Sequence, residues 1–424
     1  MEIKKGVAVR MTIHNILYEI YKHNKIYDDI SIKKKIIKNN EKDISLINNV
    51  CLNSMRYIFH SKKIINLYSK KKSKLHELIL FNSAITQIVF LEFKDYAVIN
   101  CTVEIAKKLN IYPGFVNALL KKISNDKSKL KLININFSEL PYWFTEKTKD
   151  LKSNEKISFL KNFYNQPDLH IVFKNSKSLN NFEEDILKTS NVSGFIKKNI
   201  KIDKIPSFKN GDWWVQDFSS SLPLINISNK LLKNKIIDLC SAPGGKSFQV
   251  LSKGKKVILN DISKSRIDLL KTNLNRLKFK TKITNQDVLK INLNSKFDFI
   301  ILDAPCSAVG TIRRNPEIFY RTGKPNFQKL INLQEKLLNK ASLLLNKNGV
   351  ILYMVCSFIK SETIEQINKF LLGNKNFCLN EFYIDDDNKY YNKFVNNNLL
   401  ITLPEKIKGF NIDGYFAAYI KKIS

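Results

Sequence analysis

Apolar and polar positions in the N-terminal part of the chain follow a helical period. Apolar side chains in Asp43–Tyr57 recur mostly at steps of three and four residues, the spacing that places them on one face of an α-helix. Leu78–Leu91 is apolar on nearly all sides, which predicts a helix buried inside a bundle. Phe115–Ile123 predicts another helix, and Ser124–Lys129 a polar linker. The pattern therefore predicts an all-α bundle at the start of the chain.

The pattern of apolar and polar residues changes twice along the sequence. We expect the all-α bundle to occupy residues 1–135 and a small mixed α/β segment to occupy residues 136–210, where the sequence of Leu169–Phe173 predicts a strand. Residues 211–424 alternate short apolar runs with amphipathic helical runs. The chain is therefore predicted to be multidomain, with a C-terminal α/β domain.

The α/β part has a regular order of strands and helices. The predicted strands are Ile236–Cys240, Val257–Asp261, Lys282–Asp287, Phe297–Asp303, Val350–Val355 and Tyr415–Ile420, and the predicted helices include Ser263–Leu277, Phe327–Leu345 and Glu362–Leu372. Strands that alternate with helices form a doubly wound, largely parallel sheet. Ligands of such sheets bind at the carboxyl ends of the strands, so chemistry is expected in the loops that follow them.

Charge points to a polyanionic partner. The 424 residues include 71 Lys and Arg against 38 Asp and Glu, a net charge of +33. The first 200 residues hold 35 basic and 19 acidic side chains and the rest 36 and 19, so no single tail carries the excess. A long nucleic-acid surface suits this distribution. Compositional drift toward Lys, Ile and Asn is an alternative explanation that composition alone leaves open.

Neither a membrane nor a metal partner is expected. No stretch approaches the roughly 18 to 20 unbroken apolar residues that span a bilayer, and Met1–Asn15 lacks the apolar block of a secretory signal. The six cysteines are far apart and form no C-x-x-C pair, which argues against a disulfide framework and against a zinc site. We therefore expect a cytoplasmic protein with free thiols and no metal, and we infer no obligate protein partner.

A glycine-containing loop follows the first predicted strand of the α/β domain. It consists of Cys240, Ser241, Ala242, Pro243, Gly244, Gly245 and Lys246. Its glycines allow the backbone to approach a ligand, and the helix it opens offers free N–H groups. Asp261 ends the second strand, where an acid accepts hydrogen bonds from ribose hydroxyls. Together they predict an adenosine pocket, although Asp261 alone would also fit a helix cap.

The same loop resembles the end of a nucleotide-binding P-loop. Gly245-Lys246-Ser247 matches its last residues, and Phe299–Asp303 imitates the strand and acid that hold magnesium in NTPases. The phosphate cradle, however, needs a glycine five residues before Gly245, where this chain has Cys240, and Pro243 removes a donor N–H. An NTPase is therefore the less favoured alternative.

Two thiols end two different predicted strands. Cys306 follows Asp303-Ala304-Pro305, and Cys356 follows Val355. Both would lie on the same rim as the glycine loop and could face one cleft. A lone cysteine at such a place is more often packing filler, but two on one rim in basic surroundings are candidate nucleophiles.

These residues carry a family resemblance. Asp238–Lys246, Leu302–Pro316 and Cys356-Ser357 resemble, in order and spacing, the signatures of the Sun-family RNA cytosine-C5 methyltransferases. Gly211–Asp217 and Asp413–Ala418 resemble the flanking segments of that domain. The helical first part, notably Lys42–Tyr57 and Asn100–Ile123, is similar to the NusB-like RNA-binding domain fused to this enzyme in the bacterial RsmB branch, which methylates small-subunit (16S) ribosomal RNA. The resemblance implies a NusB-like bundle, a small RNA-binding or linker segment and a Rossmann-like class I methyltransferase.

The resemblance also implies roles for individual residues. The cofactor would be S-adenosylmethionine, held by the Cys240–Lys246 loop, with Asp261 on its ribose, Asp287 near its adenine, and Lys246 as positive charge at the rim. Asp303 would contact the target base or the methionine end of the cofactor. Cys356 would attack carbon 6 of cytosine, and Cys306 would assist elimination, although analogy with the Pro-Cys pair of DNA cytosine methyltransferases would nominate Cys306 as nucleophile. A non-catalytic RNA-binding factor of the antitermination type is the remaining alternative.

Overall fold

The chain forms two compact units. The computed structural model describes residues 2–37, 41–70, 72–197, 201–225, 227–233, 235–292, 294, 296–320, 325–382 and 391–423. The helical unit comprises Met1–Asn165 and Ile312–Lys324, and the sheet unit comprises Gln166–Thr311 and Pro325–Ser424. The predicted mixed segment 136–210 is thus shared, since its helices up to residue 165 belong to the helical unit and its strands to the sheet unit.

Ten α-helices build the helical unit from the residues described there. They are α1 (Glu2–His23), α2 (Ile30–Ile37), α3 (Glu41–Arg56), α4 (Ile58–Tyr68), α5 (Leu75–Ile85), α6 (Asp95–Lys108), α7 (Pro113–Asn125), α8 (Lys127–Leu130), α9 (Tyr142–Lys147) and α10 (Ser153–Asn162). The predicted all-round apolar helix is α5 and the π-helical turn Thr86–Phe90 that extends it. Seven consecutive residues, Ile79–Ile85, are buried, which confirms a central helix packed on all sides.

The prediction of a polar linker at 124–129 is wrong. Pro113 occupies the first turn of α7, where its missing N–H costs nothing, and the helix continues to Asn125 before α8 begins at Lys127. Polar side chains of this stretch bind the start of α6: the Asp95 carboxylate accepts hydrogen bonds from Ser124 Oγ at 2.5 Å and from Lys127 Nζ at 3.0 Å. These long-range hydrogen bonds are invisible in a local polarity pattern.

A short segment from the C-terminal half of the sequence completes the helical unit. This segment, Ile312–Tyr320, is called the strap below. Arg56 of α3 donates from Nε and Nη2 to the backbone carbonyl of Arg313 at 3.3 and 2.9 Å, and both arginines are buried. The Tyr320 hydroxyl donates to a backbone carbonyl of α3. Phe319 packs against rings of Phe59, Trp143, Phe144, Phe159 and Phe163. The strap is therefore part of the helical core.

The sheet unit contains two principal sheets and their covering helices. Its strands are β1 (His170–Phe173), β2 (Ile186–Ser190), β3 (Ser193–Ile196), β4 (Trp213–Val215), β5 (Ile236–Asp238), β6 (Val257–Asn260), β7 (Ile283–Thr284), β8 (Phe297–Asp303), β9 (Leu345–Val355), β10 (Phe377–Asn380), β11 (Val395–Asn396), β12 (Leu399–Thr402), β13 (Glu405–Ile407), β14 (Phe410–Ile412) and β15 (Tyr415–Lys422). Its helices are α11 (Ser176–Asn180), α12 (Phe218–Ile225), α13 (Gly245–Ser252), α14 (Lys264–Arg276), α15 (Phe327–Leu344), α16 (Ile364–Gly373) and α17 (Tyr391–Phe394).

The large sheet has the order β11-β12-β15-β9-β8-β5-β6-β7, with β10 also paired to β15. Strands β7, β6, β5, β8 and β9 run parallel, whereas β15 pairs antiparallel with β9 and β12 pairs antiparallel with β15. The chain goes outward from β5 to β7 and resumes on the other side with β8, so the order switches direction between β5 and β8. In open α/β sheets such a switch point marks the ligand crevice.

The third parallel strand is shorter than predicted. Only Ile283–Thr284 pair in β7, and side chains of β6 and of the segment after β7 bind the backbone N–H groups that follow it. Asn260 Oδ1 accepts the backbone N–H of Gln286 at 3.1 Å, and Asp287 Oδ1 accepts that of Leu289 at 3.0 Å. Alternating apolarity in Lys282–Asp287 does not reveal this competition.

Two apolar layers cover the faces of the large sheet. Helices α12, α13 and α14 pack on one face, through residues such as Leu222, Phe248 and Leu270. Helices α15 and α16 pack on the other, where Leu338 and Ile367 are completely buried. With both faces covered, only the strand ends remain for chemistry. Among the described residues, no helix combines the length and apolarity required to cross a bilayer.

Candidate active site

The sequence-predicted site residues lie along one edge of the large sheet, because parallel strands end on the same side. The loop Cys240–Lys246 follows β5, Asp261 follows β6, Asp287 lies beyond β7, Asp303 ends β8, Cys306 lies in the loop after β8, and Cys356 follows β9 directly. This edge contains the switch point between β5 and β8.

The loop after β5 closes tightly over the start of α13. Gly244 has φ +116°, in the left-handed region, and caps α13. A Cβ at this position would lie 2.1 Å from Phe248 Cζ and 2.7 Å from Leu270 Cδ1. Ser241 N donates to the Asn260 carbonyl at 2.8 Å, and Pro243 O accepts from Asn273 Nδ2 at 3.2 Å. The loop is therefore fixed in place by its neighbours and can present backbone groups without rearrangement.

Gly244→Ala should destabilise the protein by about 2 to 6 kcal/mol, because a strained backbone and an overpacked core each cost about 1 to 3 kcal/mol. Gly254→Ala is the matched control: its φ is +74°, but nothing lies within 4 Å of its would-be Cβ. We expect that variant to lose only about 1 to 2 kcal/mol. Denaturant unfolding of both variants measures the difference, and equal losses would show that the Phe248 contact imposes no constraint.

Asp261 is a buried acid with a precise set of donors. Its side chain is 2% exposed and accepts hydrogen bonds from the backbone N–H groups of Ala242 at 3.2 Å and Ser263 at 2.9 Å. Arg266 Nη1 lies 3.7 Å from its carboxylate. The next residue, Ile262, is 68% exposed although it follows a buried strand. A fixed carboxylate can accept hydrogen bonds from ribose hydroxyls. The exposed apolar side chain beside it can pack against a flat purine ring.

Asp287 lies at the same edge but contacts neither the loop nor the thiols. Its carboxylate accepts the Leu289 N–H and caps the short 3₁₀ turn Val288–Lys290. Leu289 itself is 38% exposed. The structure therefore places Asp287 near the outer end of the crevice and gives it a structural hydrogen bond there.

Lys246 and Asp303 form an ion pair at the centre of the edge. Lys246 Nζ lies 2.5 Å from Asp303 Oδ2 and 5.5 Å from the centre of the Tyr415 ring, and the Tyr415 hydroxyl donates to Asp303 Oδ1 at 3.2 Å. Burial alone lowers the pKa of Lys246, but Asp303, Cys356 and Asp238 outweigh it and raise that pKa. Lys246 therefore stays a cation beside the thiol of Cys356.

The two thiols predicted from the strand ends lie side by side. Cys306 Sγ and Cys356 Sγ are 3.3 Å apart, and both cysteines are free and half-buried. The loops that carry them interlock where Gly310 N donates to the Cys356 carbonyl at 3.0 Å. The hydrogen bond to Cys356, burial, and the nearby charges of Cys356 and Glu362 all raise the pKa of Cys306. The two thiols are therefore within hydrogen-bond distance, and either sulfur can be the donor.

Sequence reasoning missed two buried carboxylates behind this edge. Asp238, at the end of β5, is 1% exposed and accepts from Ser247 Oγ at 2.5 Å, and burial raises its pKa to about 7. Glu362, which lies between β9 and α16, is fully buried and accepts from Ser307 and Ser357, the residues after the two cysteines. The serine after each cysteine was visible in the sequence, but the acid that joins them was not.

Two family models match separate parts of the chain. Residues 227–421 match the model described as 16S rRNA methyltransferase RsmB/F, and residues 8–125 match the model described as NusB family. The first covers the large sheet and its edge, and the second covers most of the helical unit.

Several relatives match this chain over most of their length. A ribosomal RNA small subunit methyltransferase B of Proteus mirabilis is 26% identical over 420 residues, which cover 92% of this chain and 94% of the relative. A protein of the same name from Vibrio vulnificus is 24% identical over 390 residues, covering 86% and 90%. Among solved structures, the protein titled PH0851 superposes with a TM-score of 0.70 at 19% identity, covering 97% of this chain and 98% of its own. That likeness extends the similarity of fold to both units.

Proposed function

Because residues 227–421 belong to the RsmB/F family of 16S rRNA methyltransferases and residues 8–125 to the NusB family, the chain is an rRNA methyltransferase, and we propose its chemistry as follows. It transfers a methyl group from S-adenosylmethionine to carbon 5 of a cytosine in small-subunit rRNA, through a transient bond between Cys356 and carbon 6 of that base. This function is therefore preferred to the two alternatives considered from the sequence, an NTPase and a non-catalytic RNA-binding factor.

One observation carries the covalent mechanism: two free thiols lie 3.3 Å apart at the ends of β8 and β9. Carbon 5 of cytosine is a poor nucleophile, so a thiolate must first add to carbon 6. One thiol of a pair can attack while its neighbour handles a proton. The Lys246 ammonium, whose pKa the nearby Cys356 helps to raise, can stabilise a thiolate at that position, which supports Cys356 as the nucleophile.

The proposed reaction proceeds in two halves, in which these residues have different roles. In the first, the Cys356 sulfur forms a bond to carbon 6, and the ring becomes an enamine with electron density on carbon 5. The bound methyl donor supplies an electrophilic methyl group on a sulfonium, which carbon 5 then accepts. In the second half, water accepts the carbon 5 proton, the freed electron pair restores the double bond between carbons 5 and 6, and the Cys356 sulfur leaves carbon 6. The neighbouring Cys306 thiol assists by donating a hydrogen bond to that departing sulfur. Asp303, held by Lys246 and Tyr415, is placed to contact the base during both halves.

The edge of the sheet fits an adenosyl methyl donor. The Cys240–Lys246 loop is tight enough to exclude side chains at Gly244, so its backbone N–H groups can face a ligand. The carboxylate oxygens of Asp261 have further lone pairs that can accept hydrogen bonds from ribose hydroxyls. The exposed side chain of Ile262 offers an apolar surface against which a purine can pack. Asp287, capping the turn that exposes Leu289, would border the adenine. We propose these residues as the donor site.

Asp261→Ala should weaken S-adenosylmethionine binding roughly 10- to 150-fold, because hydrogen bonds to a charged group contribute about 1.5 to 3 kcal/mol. Asp268→Ala on the exposed face of α14 removes the same charge from the same unit and is expected to bind normally. Calorimetry with the methyl donor and with ATP and magnesium measures both. Tight magnesium-dependent ATP binding without donor binding would contradict the site.

The substrate is proposed to be unpaired RNA. A base in a stacked helix cannot reach thiols in a half-buried cleft, so it must leave the stack at a cost of a few kcal/mol. That cost is smallest in a loop or in partly unfolded rRNA. The net charge of +33 supports a long polyanionic substrate.

A transfer assay with labelled methyl donor and protein-free 16S rRNA tests the whole proposal. We expect label on carbon 5 of a cytosine, which bisulfite sequencing locates. Label on a ribose hydroxyl or on a ring nitrogen would contradict it, because neither position requires a thiol.

A further inference from the structure

A fully buried carboxylate joins the two loops that carry the thiols. Glu362 Oε1 accepts the backbone N–H of Ser307 at 2.8 Å, and Oε2 accepts Ser307 Oγ at 2.5 Å. The same Oε2 accepts Ser357 Oγ at 2.7 Å. Gln334 Nε2 donates to Oε1 at 3.2 Å and also to the Pro305 carbonyl at 2.9 Å. One carboxylate thus holds the residue after Cys306 and the residue after Cys356.

The arrangement is rigid as well as buried. Glu362 is 0% exposed, and its backbone carbonyl accepts the Tyr353 hydroxyl of β9 at 3.0 Å. Ser357 Oγ also accepts the backbone N–H of Ile359 at 3.2 Å, so that side chain has a fixed position. A buried carboxylate is costly unless several donors satisfy it, and here the donors come from both loops.

We propose that Glu362 is a positioning residue that sets the spacing of Cys306 and Cys356 and assigns them different roles. The proposal rests on the proposed function for what each thiol does in the reaction. Its hydrogen bonds hold the sulfurs 3.3 Å apart, and its negative charge beside Cys306 disfavours a thiolate there. Glu362 touches neither the base nor the methyl donor in this account and acts only through the two loops.

The effect of the Glu362 charge on Cys306 is measured by alkylating Cys306 in a Cys356→Ala variant. In that variant the reactivity of Cys306 is measured in the absence of the neighbouring thiol. Iodoacetamide reacts when a thiolate forms a sulfur–carbon bond and expels iodide, so the pH profile of the rate reports the thiolate fraction. Peptide mass spectrometry separates Cys306 from the other cysteines. The assay needs neither RNA nor methyl donor, so its outcome is independent of whether the proposed methylation occurs.

Glu362→Gln in that background should raise the Cys306 alkylation rate about tenfold below its pKa, because removing one adjacent charge shifts a pKa by about one unit. Glutamine retains the shape and can accept the Ser307 N–H. Glu335→Gln is the matched control, since Glu335 pairs with Lys369 on the surface of the same unit. It should leave the profile unchanged. Superimposable profiles for Glu362→Gln and its parent would overturn the charge assignment.

The spacing effect has a separate readout that survives even if Glu362→Gln does not fold. Ser307→Ala and Ser357→Ala each remove one hydroxyl from the carboxylate but keep its charge. In otherwise native protein, dibromobimane becomes fluorescent when it bridges two neighbouring thiols. We expect each variant to bridge Cys306 and Cys356 severalfold more slowly, with donor affinity close to normal. Unchanged bridging in both variants would overturn the positioning role.

Discussion

Replacing Cys356 with alanine should abolish both methylation and covalent capture of the RNA, whereas replacing Cys306 should trap the enzyme on its substrate. Without Cys356 no sulfur can add to carbon 6, so carbon 5 never becomes nucleophilic. Without Cys306 the addition and the methyl transfer still proceed, but the departure of the Cys356 sulfur slows and the sulfur–carbon bond persists. The two variants should therefore both be inactive in turnover and opposite in adduct formation.

A denaturing gel of each variant with 16S rRNA and methyl donor separates these outcomes. Cys306→Ala should show a protein–RNA band that survives denaturation, and Cys356→Ala should show none. Cys378→Ala, which replaces another half-buried cysteine of the sheet unit, is the control and should behave as the wild type. The reversed pattern would identify Cys306 as the nucleophile, as the analogy with the Pro-Cys pair suggests. Normal turnover in both variants would contradict the thiol mechanism.

Neutralising a lysine run in the helical unit should weaken RNA binding by up to about a thousandfold at 0.1 M salt. Lys70, Lys71, Lys72 and Lys74 stand within five residues between α4 and α5, and Lys70, Lys72 and Lys74 are exposed. Each lysine on a phosphate contributes about 0.7 to 0.9 to the slope of log affinity against log salt, so four glutamines should lower that slope by about 3. The effect should vanish near 1 M salt, and donor affinity should not change.

Four lysines that already pair with carboxylates provide a control of equal charge. Lys33, Lys107, Lys127 and Lys131 each lie in an ion pair within the helical unit. Replacing them with glutamine removes the same total charge, but phosphates gain little from lysines that are already neutralised. Filter binding across several salt concentrations compares the two variants. Equal losses would mean that net charge alone, and no particular surface, attracts the RNA.

The edge of the sheet could be predicted from sequence because short apolar runs and the residues that end them are local features. The apolar runs predicted the strand ends at Asp303 and Val355 correctly, and they placed the end of β5 at Cys240, two residues beyond its position at Asp238. Parallel strands then had to bring the following loops to one side. The proximity of Lys246 to Asp303 and of Cys306 to Cys356 then follows from the order of β5, β8 and β9. What the sequence could not supply was that order.

Residues that act across long sequence separations escaped prediction for the same reason. Glu362 lies 55 positions from Ser307, and its side chain resembles any other acid near the start of a helix. Polar contacts of Asp95 turned an apparent linker into helix, and Asn260 and Asp287 shortened a strand. In each case a side chain hydrogen bond, which no periodicity records, decided the local structure.

The strap has a consequence for how the gene could be divided. Because Ile312–Tyr320 completes the helical core, a polypeptide that stops at residue 165 lacks the Arg313 carbonyl that Arg56 binds and the ring that fills the space among Trp143, Phe144 and Phe163. A split gene encoding residues 1–165 and 166–424 would therefore yield a first product that is soluble only when the second is co-expressed. The two units of this chain are therefore interleaved in sequence, and a cut after residue 165 does not yield a complete helical core.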